Sequence, residues 1–206
     1  MSSISGSATL GRSELLGRIQ SGDIFISPMP EARSVGKGTV NLSVGTLFLV
    51  GKRSAHASVR SGKPPAGSSL FNEVRIEWGR HIVLQPRQMI LASTLEYLRL
   101  PLTVGGLLQS RSSFGRMGLF AGTSPWIGPG WKGCPTLELS NTGDVAVEVR
   151  PGDPICQMLF LTAQEEPGPP SRYQFSTRPY FAVAESDDWL NEIDGWCGAT
   201  LQANMR

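Results

Sequence analysis

Apolar positions along this chain follow two different periods. Between Arg12 and Gln20, Leu15, Leu16 and Ile19 recur at helical spacing and share one face. Ser13 can cap the first turn and Gly22 follows where a helix commonly stops, so a short helix packed beneath a sheet is predicted. Beyond Pro28 and Pro30 the period falls to two: Val40, Leu42 and Val44 point one way, Asn41 and Ser43 the other, and Leu47-Phe-Leu-Val50 continues the strand. Residues 51–69 are rich in Ser, Gly, Ala, Pro, Lys and Arg and read as a surface loop or insertion.

From residue 74 to residue 160 short β-rich runs recur between turn signals: Ile82-Val-Leu84, Met89 to Leu95, Thr136-Leu-Glu-Leu139, Val145 to Val149 and Ile155 to Phe160. Asn141-Thr-Gly143 supplies residues that tolerate positive φ, and Pro151-Gly-Asp-Pro154 marks a second tight reversal. After a Glu-, Pro- and Gly-rich stretch at 164–170, Ser186 to Gly195 has the pattern of a capped helix with Trp189, Leu190 and Ile193 inward. No internal repeat is visible. The pattern predicts an all-β sandwich, barrel or jelly roll with short helices near its ends.

Length fits this picture: 206 residues suffice for one buried core, so residues 1–206 are expected to form a single domain. Lys and Arg total 19 against 17 Asp and Glu, too even a balance for a broad nucleic-acid-binding face. Any polyanion bound should be small and locally gripped. No apolar run approaches the roughly 20 residues that span a bilayer, and Met1-Ser-Ser-Ile-Ser-Gly6 lacks the charged and apolar blocks of a secretory signal. A soluble cytoplasmic protein without nucleic-acid or membrane partners is expected. Cys134, Cys156 and Cys197 are odd in number and widely spaced, which fits reduced thiols. With no C-x-x-C and only His56 and His81, the chain does not offer the ligand signature with which zinc deaminases activate water.

Gly128-Pro-Gly-Trp-Lys-Gly133 satisfies the dinucleotide-binding spacing G-x-G-x-x-G, but Pro129 removes a backbone donor and a strand follows instead of a helix. A tight turn between strands explains it better. The segment Gln109-Ser-Arg-Ser-Ser-Phe-Gly-Arg116 gathers two guanidinium groups, three hydroxyls and a glycine. Such groups suit oxyanions: Arg offers a planar fork of donors, Ser hydroxyls and backbone amides add more, and Gly115 allows close approach.

Several blocks, in order, resemble the dCTP deaminases of the dUTPase superfamily. Leu91-Ala-Ser-Thr-Leu-Glu-Tyr-Leu-Arg-Leu-Pro101 resembles the strand and turn before the family's nucleotide loop, and Arg111-Ser-Ser-Phe-Gly-Arg-Met-Gly-Leu119 the loop itself. Ile127-Gly-Pro-Gly-Trp-Lys-Gly133, Thr136-Leu-Glu-Leu-Ser-Asn141 and Pro151-Gly-Asp-Pro-Ile-Cys-Gln-Met-Leu-Phe160 resemble the blocks that follow. The resemblance implies a dUTPase-like β-clip or distorted jelly-roll, a homotrimer with shared sites, and hydrolysis of dCTP to dUTP and ammonia without zinc. It implies Glu138 as the carboxylate that moves protons, on a strand where Leu137 and Leu139 face the other way. It gives Arg111, Ser112 and Ser113, within the loop that continues through Phe114 and Gly115, to the phosphates, and Arg116 to the reacting water. Thr136 and Leu137 fall to the base, and Gln157 and Tyr173 to further substrate contacts. Mg²⁺ would accompany the nucleotide triphosphate.

Two blocks depart from the family's pattern. Gly128 stands where the family carries a deoxyribose-binding aspartate, and glycine has no side-chain acceptor. Ser171-Arg-Tyr-Gln-Phe-Ser-Thr-Arg-Pro179 replaces the family's glycine- and glutamine-rich closing segment. A nucleotide-binding relative without turnover, or a dUTP diphosphatase, therefore stand as alternatives to the deaminase.

Overall fold

A computed structural model describes residues 8–59, 65–122, 126–164, 171 and 173–181. Backbone packing divides the chain into two units, Met1–Val50 with Glu73–Tyr180, and Gly51–Asn72 with Phe181–Arg206, each described by itself.

The first unit opens with helix α1 (Arg12–Gln20), which buries Leu15 and Ile19. Its cap differs from the expectation: Ser13 lies inside the helix, Gly11 occupies the cap position, and no side chain bonds to the first-turn amides. The helix ends as expected, with Gly22 at φ +77° just beyond Ser21.

Most of the regular structure that follows is β-strand, with short helical turns at Ala32–Ser34 and Ser112–Gly115. Strands β1 (Phe25–Ser27), β2 (Thr39–Leu42) and β3 (Val44–Gly51) are followed by β4 (Phe71–Arg75), β5 (Ile82–Leu84), β6 (Met89–Thr94) and β7 (Tyr97–Arg99). Next come β8 (Val104–Ser110), β9 (Leu119–Gly122), β10 (Trp126–Ile127) and β11 (Lys132–Gly133). The last are β12 (Thr136–Asn141), β13 (Val147–Val149) and β14 (Cys156–Thr162). They form sheets in the orders β4-β3-β6-β12-β9, β10-β8-β14-β2, β1-β7-β11 and β13-β5. The pairs β3–β6, β6–β12, β12–β9, β10–β8, β8–β14 and β14–β2 are antiparallel, which lets each strand bury one face and present the other. Val40, Leu42, Val44, Leu137, Leu139, Met158 and Phe160 are completely inaccessible to solvent. Burial of side chains this size supplies about 1.5–3 kcal/mol each for Val, Leu, Phe and Met. The all-β fold with few helices stands as expected; the second predicted helix, at 186–195, lies outside the described residues.

Strand β8 carries no period-two signal, because Gly105 and Gly106 occupy its second and third positions. Both are packing glycines. A Cβ on Gly105 would lie 2.6 Å from Cη2 of Trp126, and one on Gly106 would meet the Met158 side chain and the Leu159 carbonyl, the latter at 2.7 Å. Removing those two side chains lets β10 and β14 close on either side of β8.

The Asn141-Thr-Gly143 turn also works differently from the expectation. None of its residues has positive φ; Gly118, at φ +86°, takes that role across from it. Asn141 is instead buried, with Nδ2 donating to the carbonyls of Leu84 (3.0 Å) and Val145 (2.9 Å) and Oδ1 accepting from the Gly143 amide (3.0 Å). At 128–131, the Trp131 amide donates to the Gly128 carbonyl over Pro129 and a positive-φ Gly130, so the turn is present. The strands it joins part company, β10 pairing with β8 and β11 with β7.

In the second unit, residues 51–59 are largely exposed and α2 (Gly67–Leu70) is one turn long. Leu70 accepts from the Lys52 amide at 2.9 Å, and the rings of Phe71 and Phe181 lie 5.1 Å apart. Among the described residues, no helix is long and apolar enough to cross a membrane.

Candidate active site

Strand β8 ends at Ser110, and the chain turns at once through α3 (Ser112–Gly115) into β9. Arg111 is the cap residue of that turn, with extended backbone (φ −73°, ψ 134°). It is fastened twice to the loop before β14: its amide donates to the Ile155 carbonyl at 3.0 Å, and Nη1 donates to the Pro154 carbonyl at 2.7 Å. One edge of the guanidinium is thereby committed to the fold, which holds the group in place while its other donors remain for a ligand. Ser112, Ser113 and Arg116 are exposed, and no side chain caps the amides of the first turn. Phe114 is half-buried against the core and roots the loop. Gly115 is less demanding than expected, since a Cβ there would meet only the Phe120 ring, at 3.8 Å.

Glu138 lies in the middle of β12, paired with Leu91 of β6 on one side and Gly122 of β9 on the other. Leu137 and Leu139 are completely buried while Glu138 is exposed, as the alternation requires. The same open face carries Met89 and Phe120, both registered with Ser140 and 44% and 46% exposed. Ser110 ties the strand beside Glu138 to the arginine loop. Its hydroxyl accepts from the Ala121 amide at 2.7 Å and donates to the Ala121 carbonyl at 3.2 Å, beside the glycine that faces Glu138.

The other residues singled out by sequence are distributed around this centre. Thr136 shares Glu138's strand, and its hydroxyl accepts from the Tyr180 amide at 3.2 Å. Leu137 has its side chain in the core, so only its backbone is available on this strand. Gln157 sits on β14 between Asn41 and Gln109, in a different sheet from Glu138. Gly128 begins the turn before β11, where a Cβ would approach only the Trp126 indole nitrogen, at 3.6 Å. Tyr173 packs half-buried against the core. The segment around it runs beside β11: the Phe175 amide donates to the Lys132 carbonyl (2.6 Å), the Cys134 amide to the Ser176 carbonyl (2.7 Å), and Arg178 pairs with Glu73 (3.3 Å).

Sequence reasoning counted Ser110 among the loop's hydroxyls without a structural role, and passed over Glu96. Glu96 is 5% exposed and its two carboxylate oxygens accept from the Ser43 amide at 2.8 and 3.1 Å. Glu is seldom buried to this degree, so nothing in the sequence singles it out. Burial raises its carboxyl, outweighing the opposing Ser43 hydrogen bond. Burial also pushes the Cys134 thiol up to about 11 and the Cys156 thiol higher, with the Glu96 charge adding to both. Neither thiol is a nucleophile at neutral pH. Among the described residues, no group of three or more His, Cys, Asp or Glu is placed to hold a metal ion. A cavity of about 470 Å³ near Asp23, Arg99, Leu102 and Lys132 is lined by none of the site residues expected from sequence.

The dCTP deaminase-like family profile matches residues 9–163. A protein from Sulfurihydrogenibium sp. named "dCTP deaminase, dUMP-forming" is 30% identical over 158 residues, covering 76% of this chain and 85% of the relative. A dCTP deaminase from Rhodospirillum rubrum is 36% identical over 149 residues, covering 68% and 74%. The solved 2'-deoxycytidine 5'-triphosphate deaminase from Agrobacterium tumefaciens superposes with a TM-score of 0.60 at 19% identity. That superposition covers 76% of this chain, which spans about half (48%) of the Agrobacterium chain. Profile, curated relatives and fold converge on the segment that carries the arginine loop and Glu138, and the chain belongs to the dCTP deaminase-like family.

Proposed function

We propose that this protein hydrolyses dCTP to dUTP and ammonia, with Glu138 as the proton-transferring group. The observation that carries the reading is an outward-facing carboxylate on β12, whose neighbouring strand β9 is tied through Ala121 and Ser110 to an anchored Arg111 at the start of a polar turn. Glu138 takes a proton from water as the oxygen bonds to C4 of the cytosine. The proton passes to the ring nitrogen N3, the second water proton reaches the 4-amino group, and the C4–N bond breaks to release ammonia and leave the uracil carbonyl. Arg116 offsets negative charge near the attacking water, and Arg111, Ser112 and Ser113 hold the phosphates. Thr136 and Leu137 meet the base through their backbones, with Gln157 and Tyr173 as outer contacts.

A second subunit completes the site in this reading. Glu138, Met89 and Phe120 are exposed together on one face, and a neighbour in a homotrimer would shelter that face from bulk water. Mg²⁺ enters with the triphosphate: the loop offers hydroxyls and guanidinium groups without carboxylates, a set that suits a cation coordinated mainly by substrate phosphates. The Mg²⁺ would then neutralise phosphate charge and leave water activation to Glu138. A cytoplasmic location, where deoxynucleoside triphosphates are used, belongs to the same reading.

The name of the Sulfurihydrogenibium relative motivates a second product, dUMP with pyrophosphate, formed by an additional hydrolysis. Incubating the full chain with dCTP and Mg²⁺ and quantifying ammonia, pyrophosphate, dUTP and dUMP separates the two. Ammonia equal to dUTP supports the first reaction, and ammonia matched by pyrophosphate and dUMP the second. No ammonia, with dCTP still raising the melting temperature, would leave a nucleotide-binding protein without turnover.

A further inference from the structure

We infer that Glu96 is a positioning residue for Arg111, acting through the Ser43–Val44 kink and the Pro151-Gly-Asp-Pro154 turn. The inference rests on the assignment of Arg111 to phosphate binding made above. Ser43 interrupts the run from β2 to β3, and two elements clamp the kink. On one side the Ser43 amide donates to both oxygens of Glu96, and the Ser43 carbonyl accepts from the Leu95 amide at 2.7 Å. On the other, the Val44 amide donates to the Asp153 carbonyl at 3.0 Å and the Val44 carbonyl accepts from the Gly152 amide at 2.8 Å.

The turn held this way is itself closed. The Asp153 carboxylate accepts from the Arg150 amide at 2.8 Å, and Gly152 has φ +91°. Its next two carbonyls, those of Pro154 and Ile155, are the ones that fasten Arg111 by side chain and backbone. Glu96 thus reaches Arg111 through main-chain bonds on consecutive residues, without an intervening mobile side chain. Cys156 lies alongside, its thiol bonded to the Leu42 carbonyl at 3.5 Å and within electrostatic reach of both Glu96 and Arg111.

A carboxylate kept almost wholly from water is an expensive way to meet the Ser43 amide and hydroxyl and its own amide, when water would serve. Two charge-bearing acceptors on a single donor instead fix the direction of the Ser43 amide, and with it the plane of the kink from which the turn is hung. Removing Glu96 leaves Ser43 N–H unsatisfied, and the bond that relaxes next is the one that aims the guanidinium.

The test is calorimetric titration of the full-length protein with inorganic tripolyphosphate, well below the melting temperature. Arg111→Ala is expected to weaken binding about tenfold and Glu96→Ala about fivefold, with the double variant within about twofold of Arg111→Ala alone. Glu96→Gln, which keeps one oxygen for the Ser43 amide, is expected to fall between wild type and Glu96→Ala, and it carries the test if the alanine variant does not fold. In turnover the same Glu96 variants are expected to raise KM for dCTP more than they lower kcat. Wild-type affinity in Glu96→Gln or Glu96→Ala, or additive losses in the double variant, would overturn the positioning role while leaving Arg111 on the phosphates. Wild-type affinity in Arg111→Ala would overturn both assignments. Absence of dCTP turnover in the wild type bears on the deaminase reading alone, because tripolyphosphate binding is measured without it.

Discussion

Glu138 stands directly opposite Gly122 across the β12–β9 pair, where a methyl group built on the glycine would meet Glu138 Oε2 at 3.8 Å. That distance is ordinary van der Waals contact, so the glycine is not there to prevent a clash. It leaves one flank of the carboxylate open for water and substrate. Glu138→Gln is expected to lower kcat for dCTP deamination by a factor of about a hundred or more while dCTP still raises the melting temperature. Gly122→Ala is expected to fold normally and to lose activity. An active Glu138→Gln variant in an ammonia-release assay would remove Glu138 from the mechanism.

Gly106 makes the opposite prediction, for stability. A Cβ at this position would run into the Met158 side chain and sit 2.7 Å from the Leu159 carbonyl, within the β8–β14 pair. Overpacking of this kind costs about 1–3 kcal/mol. Gly106→Ala should therefore shift the urea midpoint down at unchanged m-value, whereas Gly115→Ala, with only the Phe120 ring at 3.8 Å, should leave it close to wild type.

Asn141 holds the end of β5 and the turn that follows β12 with three hydrogen bonds from one buried side chain. Truncation strands the Leu84 and Val145 carbonyls and the Gly143 amide. Asn141→Ala should destabilise the fold by about 3 kcal/mol, and Asn141→Asp, which keeps Oδ1 but cannot donate, should not rescue it. Chemical denaturation of the three proteins measures this directly.

Glu96 gives stability a pH dependence of defined sign. Burial outweighs the Ser43 amide and raises its carboxyl above the ordinary 4.5. A group that binds its proton more tightly when folded favours the folded state fully below its unfolded value, and that contribution is lost as pH climbs through the folded value. Glu96→Gln removes the titration. The melting temperature of the variant minus that of wild type should therefore grow as pH rises above about 4.5, and a difference that stays flat with pH would show that Glu96 is not raised.

Local patterns were sufficient for much of this molecule. The spacing of Leu15 and Ile19 marks α1 at its observed ends, and alternation around Glu138 places the carboxylate opposite the core-facing Leu137 and Leu139. Both follow from side-chain direction, which the backbone repeat sets without help from distant residues. The cap at Gly11 and the strand at β8 escape that logic. Gly105 and Gly106 give no strand signal, and only the packing of Trp126 and Met158 into the space their side chains would take explains them. The anchoring of Arg111 escapes it as well, since Pro154 lies 43 residues away and offers a carbonyl, which every residue has. The arginine loop and the carboxylate are chemistry that residue identity announces. The tie between the loop and the strand beside the carboxylate, through Ser110 and Ala121, and the burial of Glu96 exist only once the sheets close, because hydrogen bonds to main-chain groups leave no mark in sequence.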